Sequence, residues 1–97
     1  MRVIALSRLR DFWRKHPQSE LSLRSWYAEA SRAIWKTPAE IKEVHRQASF
    51  VSGDRVVFNI KGNQYRLIVA VRYRQQLMYV RFVGTHSEYD KVDAESV

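Results

Sequence analysis

Between Arg55 and Asp93 the chain alternates apolar and polar residues in three runs, RVVFNIK, YRLIVAVRY and LMYVRFV, followed at once by a polar cluster, THSEYD. A period of two in β-branched and aromatic residues marks strands with one buried face. In the first run Val56, Phe58 and Ile60 oppose Arg55, Val57, Asn59 and Lys61. In the second, Tyr65, Leu67, Val69, Val71 and Tyr73 oppose Arg66, Ile68, Ala70 and Arg72. In the third, Met78, Val80 and Phe82 oppose Tyr79, Arg81 and Val83. Lys61-Gly62-Asn63-Gln64 supplies the first reversal, Gly62 and Asn63 being residues that accept positive φ, and Arg74-Gln75-Gln76 supplies the second. The pattern predicts an antiparallel meander. One face is apolar and needs cover. The other carries Asn59, Lys61, Arg66, Arg72 and Arg81.

The rest of the chain supplies that cover. Arg2 to Ala5 reads as a further strand of the same sheet. Leu6, Leu9, Phe12 and Trp13 then fall at helical spacing, with Ser7 as the expected cap and Pro17 as the stop. Ser19 or Ser22 opens a second helix with a stripe of Leu21, Leu23, Trp26, Tyr27, Ala30, Ala33 and Ile34. Trp13, Trp26 and Trp35 lie within these stripes and are assigned to packing rather than base stacking. Thr37-Pro38-Ala39-Glu40 is a helix start, predicting a short helix over 38–46 with His45 in a structural role near its end. Residues 47–53 read as a linker. Thr85-His86-Ser87-Glu88 is a second capping box, predicting a short helix that ends near Asp93, with 94–97 frayed. The expected fold class is α+β in a single domain, 1–97: a small, mostly antiparallel sheet with helices packed on one face.

Composition narrows the partners. Seventeen Lys and Arg against ten Asp and Glu give 97 residues a net charge of +7, which suits a polyanion such as nucleic acid. Without cysteine there is neither a disulfide framework nor a thiolate metal site. His16, His45 and His86 are too scattered to form a ligand pair at helical spacing, so no metal or cofactor is expected. Apolar stretches are too short for a membrane span, and Arg8, Arg10 and Asp11 interrupt the start too early for a signal peptide. A cytoplasmic location is expected.

The candidate chemistry-bearing residues are Asn59, Lys61, Arg66, Arg72, Arg81, His86, Tyr89 and Asp90. Cleaving RNA without metal requires a base for the 2′-OH proton, cations for the charge building on phosphorus, and an acid for the departing 5′-oxygen. Arginine and lysine supply the second need. His86 is of the side-chain type that titrates near neutrality, and Tyr89 follows it by one helical turn. Each residue also has a structural reading. His86 follows a threonine cap, Asp90 is suited to pairing with Arg66 or Arg81, and a basic sheet face can bind RNA without cutting it.

The runs VVFNIKGNQYRL, VRF and GTHSEYDKVD, in this order, closely resemble the HigB family of bacterial toxins, mRNA interferases of type II toxin–antitoxin systems. The resemblance extends over nearly the whole chain, including RVIA and SWYAEASRAIWKTPAEIK. It implies a RelE-like fold and ribosome-dependent cleavage of translated mRNA. It also implies neutralisation by a HigA-type antitoxin carrying a helix-turn-helix domain. In that frame Lys61 and Arg66 hold the scissile phosphate with help from Arg81. His86 is general base or acid, and Tyr89 is its partner or a stacking platform. Asp90 orients His86 or a neighbouring cation, Asn59 hydrogen-bonds RNA, and Arg72 contacts either mRNA or ribosomal RNA. The alternative class is a basic protein that binds RNA or the ribosome and blocks translation without cleavage. The chain has no helix-turn-helix of its own, so operator DNA is expected to be reached only through the antitoxin.

Overall fold

The computed structural model describes residues 1–51 and 54–97. Its elements run β1 (Arg2–Ile4), α1 (Leu6–Lys15), α2 (Glu20–Arg32), α3 (Pro38–Val44), β2 (Ser49–Val51), β3 (Arg55–Ile60), β4 (Tyr65–Arg72), β5 (Leu77–Thr85) and α4 (His86–Tyr89). A single turn of 3-10 helix, Pro17–Ser19, joins α1 to α2. The sheet order is β1-β5-β4-β3-β2. The β3–β4–β5 meander is antiparallel, as the alternation predicts. β1 is an edge strand parallel to β5 and covers only Leu77–Tyr79 of it. β2 lies in the expected linker and pairs with Arg55–Val57. Three residues are too few to show a period in sequence. Ser52 and Gly53, the end of that linker, lie outside the described residues.

Helices α1, α2 and α3 cover one face, and α4 contributes nothing to the core. Val56, Phe58, Ile60, Tyr65, Leu67, Val69, Val71, Met78 and Val80 form one core with Leu9, Phe12, Trp13, Leu23, Trp26, Ala30, Trp35 and Ile41. Each large aliphatic or aromatic side chain buried there contributes about 1.5–3 kcal/mol. The three tryptophans are all buried, as expected. The second helix buries less than its predicted stripe: Leu21 on α2 is 80% exposed, and the helix ends at Arg32, before Ile34, which is 71% exposed.

The third strand departs from strict alternation. Val69 pairs with Val80, but Ile68 pairs with Phe82, which leaves Arg81 as an extra residue in a bulge. The bulge shifts the phase by one. Val83 packs against the core, and Phe82, expected inside, joins Ile68 on the outer face.

Several local signals resolve differently from the sequence reading. Ala5 takes φ 71 before α1, and Ser7 makes no cap. Ser19 precedes α2, but its buried hydroxyl donates to the His16 carbonyl at 2.7 Å rather than capping. Thr37 does cap α3, accepting from the Glu40 amide at 3.3 Å. That helix stops at Val44, two residues early, as His45 turns to Glu29 with Nε2–Oε1 2.7 Å. In the first reversal Lys61 and Gly62 take positive φ, and Asn63 does not. In the second, positive φ falls on Gln76, whose amide donates to the Trp35 and Tyr73 carbonyls. β4 ends at Arg72, short of Tyr73.

The final residues do not fray. Asp93 accepts the Glu95 amide on Oδ1 and the Ser96 and Val97 amides on its carbonyl. The Val97 carbonyl then accepts from Arg55, at 3.1 and 2.9 Å, and from Arg81 Nε at 3.3 Å. This brings the segment back over the outer face, where Val57, Ile68 and Ala70 are buried apart from the helix-side core.

Candidate functional site

Arg66 points from β4 to the outer face, opposite Asn59 on β3 and Gly84 on β5. Gly84 leaves the strand bare. A Cβ there would meet Phe82 Cζ at 2.5 Å and Glu88 Oε1 at 3.0 Å. The Phe82 ring and α4 therefore close in on the strand beside Arg66.

Arg66 is only 9% exposed. Its Nη1 donates to the Asn63 and Tyr65 carbonyls at 3.1 and 3.2 Å, and its Nη2 to Asn63 Oδ1 at 2.5 Å. Its Cζ stands 5.7 Å from the Tyr89 ring centroid. A guanidinium has five N–H donors in a rigid fork. Here Nε–H and one Nη2–H have no partner among the described residues, so a fixed cation keeps donors for an oxyanion.

α4 completes the group. Thr85 Oγ1 accepts the Glu88 amide at 3.2 Å while Glu88 Oε1 accepts the Thr85 amide at 2.8 Å, the capping box expected from sequence. The Thr85 backbone hydrogen bond holds the Glu88 carboxyl below its usual range. The His86 amide donates to the Gln64 carbonyl at 3.1 Å and ties α4 to the β3–β4 turn. His86 Nδ1 lies 3.3 Å from Asp90 Oδ2, both side chains being substantially exposed.

Arg66, His86, Tyr89 and Asp90 are thus brought together. Asp90 sits on His86, not on Arg66 or Arg81. Asn59 neighbours Arg66 across the strands, but its amide donates to Gln47 Oε1 at 3.1 Å. Lys61 lies exposed on the adjoining turn. Arg81 donates to Val97 as described, at the bulge. Arg72 stands apart: it pairs with Asp54, roughly 20 Å along β4 from Arg66 at strand spacing. The sequence reading missed Asn63, which clamps Arg66, and the Gly84–Phe82 pair. The glycine inside an alternating run was the available signal for close approach.

Among the described residues no three histidine, cysteine, aspartate or glutamate side chains gather as a metal site, and no helix is long and apolar enough to cross a membrane. The family model HigB_toxin, a RelE-like toxic component of a toxin–antitoxin system, matches residues 19–92. The chain belongs to the HigB toxin family. Over 92 residues it is 33% identical to the mRNA interferase toxin HigB of Escherichia coli strain K12, covering 93% of this chain and 88% of that protein. The mRNA interferase HigB of Shigella flexneri matches to the same extent. A further mRNA interferase HigB, from Escherichia coli O6:H1, is 26% identical over 94 residues, 95% of this chain and 91% of the relative. The α+β architecture is the one expected of a RelE-like HigB toxin, and an antitoxin is the partner of such a component.

Proposed function

We propose that this HigB-family chain is an mRNA interferase. It acts as an endoribonuclease that cuts translated mRNA on the ribosome in the cytoplasm, and a HigA-type helix-turn-helix antitoxin, which also supplies contact with operator DNA, neutralises it. The single observation that carries the catalytic reading is the clamped Arg66 guanidinium over Tyr89, beside the His86–Asp90 pair.

In this mechanism the Asp90 carboxylate, 3.3 Å from Nδ1 of His86, favours the proton on that nitrogen and leaves Nε2 to take the proton from the ribose 2′-OH. The 2′-oxygen bonds to phosphorus, the bond from phosphorus to the 5′-oxygen breaks, and that oxygen receives a proton. Tyr89, on the same helix and beside Arg66, is the donor assigned to it. Arg66, with Lys61 from the turn, faces the charge on the equatorial oxygens. Arg81 and Asn59 guide the strand, and Arg72 is left to more distant RNA. The ribosome supplies part of the alignment.

Primer extension on a translated mRNA, after induction in cells without antitoxin and beside a His86→Ala control, tests the reading. Cuts within codons that need translation and vanish in the control support it. Intact mRNA with arrested growth would replace it with a translation-blocking binder.

A further inference from the structure

Among the described residues, the outer edge of β5 beyond Tyr79 has no neighbouring strand. It opens instead onto a cleft of about 320 Å³ whose other wall is α1. Arg8 and Lys15 line it from α1, His16 from the residue after that helix, Arg81 and Phe82 from β5, and Glu88 from α4. Arg8 Nη1 spans it, donating to the Arg81 carbonyl at 3.1 Å.

Two features give this cleft a chemistry. The first is charge. Arg8, Lys15 and Arg81 face two carboxylates that are already engaged. Asp11 lies 3.8 Å from Arg14, and Glu88 is turned back to the Thr85 amide. The cations are left in excess. The second is the half-buried Phe82 ring. The bulge moves it out of the core, and Gly84 gives it room to lie over the strand. An apolar ring brought to a basic surface at the cost of core packing suits a base better than it suits water. Phe82 pairs with Ile68 and Gly84 with Arg66. Phe82 is therefore two strand residues, roughly 7 Å of backbone, from the position opposite Arg66, and its ring lies back over that position.

We propose that this cleft is a nucleotide subsite of the RNA track. Phe82 stacks one unpaired base, and Arg8 and Arg81 hold the adjoining phosphate, with Lys15 adding to the field. The proposal rests on the endoribonuclease reading for its ligand, single-stranded RNA. It concerns residues separate from Arg66, His86, Tyr89 and Asp90.

The test is fluorescence anisotropy of a short, labelled single-stranded RNA against the whole protein without ribosomes, repeated over a range of salt. Phe82→Leu, which keeps an apolar side chain over Gly84, weakens binding roughly tenfold and leaves the salt dependence unchanged. Phe82→Trp retains tight binding. Arg8→Gln and Lys15→Gln each lower the slope of log affinity against log salt by about 0.7. A merely structural role would move melting temperature, not these two readouts separately. Parent-like affinity and slope in Phe82→Leu and Arg8→Gln would overturn the subsite. So would a loss of antitoxin binding with RNA binding intact, which would assign the cleft to protein. Primer extension separates the two readings. If the parent cuts mRNA and His86→Ala does not, a failed anisotropy result removes only the subsite. If the parent never cuts, the catalytic reading falls and the anisotropy still decides the cleft.

Discussion

The guanidinium of Arg66 lies over the Tyr89 ring, Cζ to centroid 5.7 Å, while Asn63 and Tyr65 hold it from its own strand and turn. Position and charge are both fixed before substrate arrives, the condition under which a cation stabilises a developing oxyanion most effectively. Arg66→Lys keeps the charge but loses the fork. It is expected to lower mRNA cleavage about a hundredfold or more, read by primer extension. Parent-like cutting would show that charge alone suffices.

His86 and Asp90 divide differently. Removing a positioned general base costs about 10²–10⁴-fold, so His86→Ala is expected to relieve growth arrest completely. Asp90→Asn leaves the imidazole in place but weakens the contact that orients it. Its cleavage rate is expected between those of the parent and His86→Ala. Equal rates for Asp90→Asn and the parent would remove Asp90 from the mechanism.

Gly84→Ala places a methyl group against Phe82 and Glu88. Overpacking of this kind costs about 1–3 kcal/mol, visible as a lower melting temperature. Part of that loss is expected to return in the Gly84→Ala, Phe82→Leu double variant, because the smaller side chain removes the clash. Strict additivity of the two changes would contradict the close approach.

The capping box gives α4 a dependence on pH. The folded state holds the Glu88 carboxyl below its usual range. Its contribution is therefore complete above the ordinary carboxylate pKa, about 4.3, and is lost as pH falls through the lower folded value. The Thr85 amide resonance is expected to titrate with a midpoint below that of a free glutamate. In Glu88→Gln, which still accepts the bond but does not ionise, it should not respond.

The meander was legible because Val56, Phe58 and Ile60, and Tyr65, Leu67, Val69 and Val71, recur at every second position, and α4 because Thr85 and Glu88 carry its capping chemistry. The outward turn of Phe82 was not. A bulge adds a residue to one strand only, and no local signal separates Val80-Arg81-Phe82 from regular alternation. Arg66 was identifiable as an outer-face cation, but its clamp depends on Asn63, whose place is set by positive φ at Lys61 and Gly62. The return of Asp93–Val97 depends on Arg55 and Arg81, distant in sequence. Leu21 and Ile34 matched a helical stripe, yet Leu21 lies on the exposed side of α2 and the helix ends at Arg32, before Ile34.

The two-thirds of β5 that β1 leaves uncovered, residues 80–85, bears on how copies of this toxin behave together. An unpaired strand edge is a template on which a second molecule can add its own strand. The guanidinium of Arg8, bonded to the Arg81 carbonyl, occupies that edge with a charge that a like edge would meet as repulsion. Neutralising Arg8 therefore removes a guard against fibre growth, and the variant is expected to lose solubility at concentrations where the parent stays monodisperse in light scattering.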